Sequence, residues 1–121
     1  STAVLWAAFT DFFDVKEELL SVVTSHRLTE GYGITEPVAA RIIDIKPNLV
    51  ISADKGSSDE PRIKKIAAVG IDVIVTDHHE ISDNGPPQSA YAVVNPIRSD
   101  SKYDKNICGA GVAFLTMAKV R

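Results

Sequence analysis

The chain has 121 residues, 45% of them apolar, which is enough to bury one hydrophobic core and sets one domain as the ceiling. Its net charge of −3 lacks the basic face that marks a main nucleic-acid-holding surface, and its single cysteine excludes an internal disulfide framework and suits a reducing cytoplasm. No apolar stretch approaches the roughly 20 residues of a membrane-spanning helix, and no signal peptide is visible.

In chain order, Ala3-Val4-Leu5-Trp6-Ala7-Ala8-Phe9 opens an apolar helical pattern predicted over 2–13, with Trp6, Phe9, Phe12 and Phe13 spaced as core. Leu20-Ser21-Val22-Val23-Thr24 reads as a strand over 20–25, followed by His26-Arg27. Gly31-Tyr32-Gly33 serves a tight turn before a helix over 36–45 that Thr35 caps. After the breaker Pro47-Asn48, Leu49-Val50-Ile51-Ser52-Ala53 forms a strand over 49–53 that ends on Asp54. Ser57-Ser58-Asp59-Glu60-Pro61 carries the small polar caps, first-turn acids and early proline of a helix start, here for 59–69, and Gly70 supplies the stop. Ile71-Asp72-Val73-Ile74-Val75-Thr76 is β-branched without polar alternation, the pattern of a strand (71–76) buried on both faces of a parallel sheet. A Gly-Pro-rich surface loop over 82–89 leads to a strand over 91–94, and a helix over 110–120 ends the pattern.

The second and third strands with their intervening helix make a β-α-β unit, and such crossovers in one sheet are nearly always right-handed. The two strands are therefore expected to be parallel neighbours, with Asp54 and Asp77-His78-His79 at the same edge. Parallel sheets bind ligands at the carboxyl ends of their strands. On its own the triplet reads equally as a polar turn with Asp77 capping a helix or as a set of metal ligands and proton carriers. Convergence with Asp54 favours the second reading.

Four blocks then carry a family resemblance. His26-Arg27-Leu28-Thr29-Glu30-Gly31-Tyr32-Gly33-Ile34, Val75-Thr76-Asp77-His78-His79-Glu80-Ile81, Ala90-Tyr91-Ala92-Val93-Val94-Asn95-Pro96 and Cys108-Gly109-Ala110-Gly111-Val112-Ala113-Phe114 resemble, in order, segments of the DHH phosphoesterase superfamily. Within it they are most similar to the RecJ type of single-strand-specific 5′→3′ DNA exonuclease. The resemblance implies an α/β fold, Rossmann-like, with a mostly parallel sheet and helices on both faces.

It also implies a dinuclear site. Two divalent cations roughly 3.5–4 Å apart activate a water and clamp the attacking and leaving oxygens of a phosphodiester. By resemblance Asp54 bridges the ions, His78 ligates one of them, and His79 faces the scissile phosphate to stabilise charge or give a proton. Asp77 fixes an imidazole, as metal-bound histidines require. The oxygen and nitrogen donors suit Mn²⁺, with Mg²⁺ as the harder rival. Arg27 is a candidate phosphate ligand, with a structural ion pair as its alternative. Gly109 and Gly111 could offer backbone N–H groups to a phosphate, with close packing of their helix as the alternative. Cys108 has no histidine tied to it by any local signature, which argues against a nucleophile.

Two departures stand out. The family's second motif reads Asp, a small or polar residue, then Gly, whereas here it is Asp54-Lys55-Gly56. An aspartate-rich motif of the form D-x-D-G-x-T is expected just before Ser1, and a further metal-binding aspartate after the last helix. The expectation is therefore residues 1–121 of a DHH domain truncated at both ends, inactive alone, from a cytoplasmic enzyme of DNA repair and recombination acting on single-stranded DNA, with repair proteins as further partners. The alternatives are a DHH phosphoesterase for nucleotides, cyclic dinucleotides, pyrophosphate or short oligonucleotides, and a non-catalytic module that keeps the fold.

Overall fold

The structure is a computed structural model that describes residues 1–120. Its centre is a β-α-β unit: β1 (Leu49–Ala53), α3 (Glu60–Ala68) and β2 (Asp72–Thr76), preceded by α1 (Thr2–Ala7) and α2 (Glu36–Ile45) and followed by β3 (Ala92–Val94) and α4 (Gly109–Val120). The three strands form one parallel sheet in the order β1-β2-β3. Leu49 pairs with Asp72 and Ala53 with Thr76, so the two strands end in step and Asp54 and Asp77 leave the sheet side by side.

Strand alternation sends successive side chains to opposite faces. Val50, Val73 and Val75 meet α2 and α3 through Val38, Ala39, Ile42, Ile63 and Ile66. On the other face Ile51 and Ala53 meet Leu5 of α1, Ala8 just beyond it, and Ala113 and Met117 of α4. The result is a helix–sheet–helix sandwich, with Ile63, Ile66, Val73 and Val75 at 0% exposure. Burying each such side chain contributes about 1.5–3 kcal/mol, which fixes the register of the strands whose ends carry the site. None of the described helices is long and apolar enough to cross a membrane.

The helix termini follow local chemistry. Both α2 and α3 carry proline in the first turn, at Pro37 and Pro61, where the missing N–H costs nothing. After α2, Lys46 closes the helix in the left-handed conformation (φ 54°), and its N–H donates to the carbonyl of Ile42. After α3 the same left-handed turn falls on Gly70 (φ 85°), the expected stop.

Three expectations need correction. The first helix is regular only over Thr2–Ala7 and then widens into a π-helical turn over Ala8–Phe12. The strand expected over 20–25 is absent from the sheet: β-branched residues favour strands only where a ladder partner and a packed face are available. That segment follows a 3₁₀ turn (Glu17–Leu19), packs Val23 on the core and gives the Thr24 carbonyl to Arg41 Nη2 at 2.8 Å. Thr35 occupies the N-cap of α2, but its buried hydroxyl makes no capping bond. Pro37 removes one of the two N–H groups such a hydroxyl reaches for.

Candidate metal centre

Asp54 is the first residue beyond β1. Its N–H donates to the Thr76 carbonyl at 2.8 Å, which continues the ladder by one bond, and its backbone then turns left-handed (φ 64°). A non-glycine residue in this region is strained and persists only where its surroundings hold it. Gly56 completes the turn at φ 115°, and a Cβ there would meet Ser52 Oγ and a Val75 methyl carbon, both at 3.1 Å. The glycine of the Asp-x-Gly motif is thus demanded by both backbone angle and space.

The turn delivers the Asp54 carboxylate to His78, with Oδ1 3.0 Å from Nε2. The approach is close but not aligned as a hydrogen bond, and this buried oxygen has no hydrogen-bond partner among the described residues. It also lies against the first turn of α4: a Cβ on Gly109 would stand 2.0 Å from it. Ligand-type atoms of Asp54, His78 and His79 all fall within 4.8 Å of one another. A buried carboxylate oxygen without a donor, facing two imidazoles, is the arrangement that a cation completes. These residues fit a divalent metal.

Asp77 is 1% exposed and organises the triplet from below. Its Oδ1 accepts from His79 Nδ1 at 2.7 Å and from the His78 N–H at 2.8 Å, while Oδ2 accepts from the Ser57 N–H at 3.0 Å. Burial pushes this carboxyl up, but the His79, Ser57 and His78 hydrogen bonds outweigh it and hold Asp77 below the ordinary aspartate range. An ionised carboxylate only accepts, so His79 carries its proton on Nδ1 and leaves Nε2 free to ligate or to take a proton. Asn95, 3% exposed, ties the assembly to β3: its Nδ2 donates to Ser57 Oγ at 2.7 Å and to the His79 carbonyl at 2.9 Å.

Arg27 stands at the rim with its guanidinium 5.6 Å from the Tyr32 ring centroid, and it makes no ion pair among the described residues. Lys55 places its ammonium 6.0 Å from the same ring. Gly109 packs on the Asp54 carboxylate, whereas Gly111 packs on Ile107, which a Cβ would approach to 2.7 Å. Cys108 is exposed and free.

Sequence reasoning missed two members of the site. Tyr32, expected only to serve a turn, donates its hydroxyl to the Asp54 carbonyl and sits 3.3 Å from His79 Nδ1 and 3.4 Å from Nε2. Burial, followed by the charges of Asp54 and Asp77, pushes its phenol up to about 12, so it remains a donor at neutral pH. Asn95 is the other. An aromatic between two glycines and an Asn-Pro after a short strand are the only local signals, and both read first as turn chemistry.

The fold and this cluster define an α/β domain that gathers acidic and imidazole side chains at the carboxyl ends of parallel strands. The chain belongs to the DHH family, matching its N-terminal domain over residues 1–121. It is 38% identical over 97 residues to the single-stranded-DNA-specific exonuclease RecJ of Haemophilus influenzae, covering 79% of this chain and 16% of that protein. To RecJ of Escherichia coli it is 32% identical over 103 residues, 84% of this chain and 18% of that one. A crystal structure of exonuclease RecJ bound to manganese superimposes with a TM-score of 0.64 at 32% identity, covering 77% of this chain and 23% of that one. The chain thus spans under a fifth of the length of these two curated relatives.

Proposed function

We propose that these residues form part of the catalytic core of a metal-dependent, single-stranded-DNA-specific 5′→3′ exonuclease acting in DNA repair and recombination in the cytoplasm. The observation that carries this reading is the Asp54 oxygen, without a hydrogen-bond partner among the described residues, 3.0 Å from His78 Nε2 at the sheet edge. Its support is the similarity to RecJ proteins over most of the chain.

In this reading two divalent cations, Mn²⁺ in preference to Mg²⁺, supply an activated water and charge neutralisation at the phosphodiester. Asp54 and His78 hold metal. His79, oriented by Asp77, presents Nε2 to the phosphate, where it stabilises charge or moves a proton. Arg27 at the rim binds a substrate phosphate with its planar fork. Gly109 keeps the first turn of α4 close to Asp54, and with Gly111 leaves backbone N–H groups at a helix start facing an anionic substrate. Residues 1–121 are part of a longer DHH domain whose other metal-binding aspartates lie outside this segment, and repair proteins are its partners.

Mn²⁺-dependent digestion of single-stranded DNA by the full-length protein tests the reading. Asp54→Ala and His78→Ala should each abolish turnover while the melting temperature changes little, and residues 1–121 alone should show little or no activity. Most of the turnover surviving in either variant would remove that residue from the metal site.

A further inference from the structure

Asp54 is held in a strained turn from two sides. On one, its N–H is fixed to the Thr76 carbonyl of β2 at 2.8 Å. On the other, the Tyr32 hydroxyl donates to its carbonyl. The left-handed angle between these anchors (φ 64°) turns the carboxylate under Gly109 and toward His78. Loss of either anchor lets the residue relax to the right-handed or extended backbone that an aspartate prefers, which carries the carboxylate away.

Tyr32 can serve as an anchor because its own loop is fixed. Gly33 (φ 96°) brings the chain against the Asp59 carboxylate, and a Cβ there would lie 2.8 Å from Asp59 Oδ2. That oxygen accepts the Ile34 N–H at 2.7 Å, while Arg62 Nε donates to the Ile34 carbonyl at 3.0 Å. The first turn of α3 therefore grips the residues immediately after Tyr32. The tyrosine ring also meets His79 edge-on, with centroids 5.3 Å apart and planes inclined by 68°. A phenol has one proton, and here the Asp54 carbonyl takes it; toward His79 the oxygen offers lone pairs.

We infer that Tyr32 is a positioning residue for the metal ligands, its hydroxyl holding the backbone turn that aims Asp54 and its ring limiting the swing of His79. The inference rests on the metal reading proposed above. Groups that orient metal ligands typically change affinity by about 10–100-fold when removed.

The test is titration of the metal-free full-length protein with Mn²⁺, following unbound Mn²⁺ by electron paramagnetic resonance, for wild type, Tyr32→Phe and His78→Ala. Tyr32→Phe keeps the ring and the packing and removes one hydroxyl. Its Mn²⁺ dissociation constant should rise by about 10–100-fold with little change in the metal-free melting temperature. Wild-type affinity in Tyr32→Phe, with affinity lost in His78→Ala, would overturn the positioning role and leave the metal reading standing. A lowered melting temperature with unchanged affinity would make the tyrosine structural only and overturn it equally. Unchanged Mn²⁺ binding in His78→Ala would overturn the metal reading itself.

Discussion

The Asp54 carboxylate and the His78 imidazole approach to 3.0 Å across the ends of two neighbouring parallel strands, yet the buried Asp54 oxygen makes no hydrogen bond among the described residues. An unsatisfied buried acceptor costs about 1–3 kcal/mol, a cost that a cation between the two groups removes. Ligands that bind only the folded state stabilise it, by about 2.7 kcal/mol at a hundredfold excess over the dissociation constant. Mn²⁺ should therefore raise the melting temperature by several degrees, and a chelator should reverse the gain. In Asp54→Asn the metal-dependent increment should vanish, because the amide lacks the charge and half the acceptor capacity. Differential scanning calorimetry with and without Mn²⁺ checks this, and an equal increment in the variant would sink it.

Gly109 gives a second test of the same contact. A Cβ at this position would stand 2.0 Å from Asp54 Oδ1 and 2.6 Å from its Cγ, so either the carboxylate or the start of α4 must shift. Gly109→Ala should weaken Mn²⁺ binding at least tenfold and cost about 1–3 kcal/mol of stability. Gly111→Ala presses instead on Cγ1 and Cδ1 of Ile107, at 2.7 and 3.0 Å, and should leave Mn²⁺ affinity within about threefold of wild type because no site residue is displaced. Equal Mn²⁺ affinity in the two variants would show that Gly109 does not set the position of Asp54.

The strand-end part of this geometry was legible in the sequence because it depends on local patterns. The β-branched run Ile71–Thr76, the caps at Ser57–Pro61 and the stop at Gly70 specify a β-α-β unit, and such a unit brings Asp54 beside the Asp77-His78-His79 turn. The expected strand over 20–25 shows the limit of that approach: Val22-Val23-Thr24 has strand composition, but whether a ladder partner is present is a property of the whole sheet. Tyr32 and Asn95 were hidden for a related reason. Their importance lies in contacts to residues far along the chain, the Asp54 carbonyl for one and Ser57 Oγ for the other. Nothing in Gly-Tyr-Gly or Asn-Pro announces those partners.

Asn95 should behave as a structural hub. Its Nδ2 serves Ser57 Oγ and the His79 carbonyl, and its Oδ1 accepts the Ile97 N–H at 2.9 Å, all at 3% exposure. Asn95→Ala leaves the buried Ser57 hydroxyl and two half-buried backbone groups without this partner, a loss of about 1–3 kcal/mol by chemical denaturation. Because Ser57 also donates its N–H to Asp77, the damage should reach His79 and lower turnover further than the stability loss explains. Asn95→Ala with wild-type stability would contradict this account.

The acid limb of stability should carry a signature of Glu30. Its carboxylate takes Arg41 Nη1 at 2.6 Å and Nη2 at 2.9 Å, and Arg41 also holds the Thr24 carbonyl, so the pair staples the strandless segment to α2. The Arg41 hydrogen bonds, followed by the His26 N–H, lower the Glu30 pKa from 4.5 to about 2. For a carboxyl whose folded pKa is depressed, the folded state binds fewer protons than the unfolded one between the two values. The stabilisation is therefore fully present above pH 4.5 and is lost as the pH falls from 4.5 toward 2. Glu30→Gln should lower the melting temperature at pH 7 and flatten the decline of stability below pH 4.5. Urea denaturation of both proteins across that range checks the slope. Parallel curves would mean that the Glu30 pairing adds nothing to folding, and the segment before it would then be held by the packing of Val23 and the Arg41 hydrogen bond to the Thr24 carbonyl.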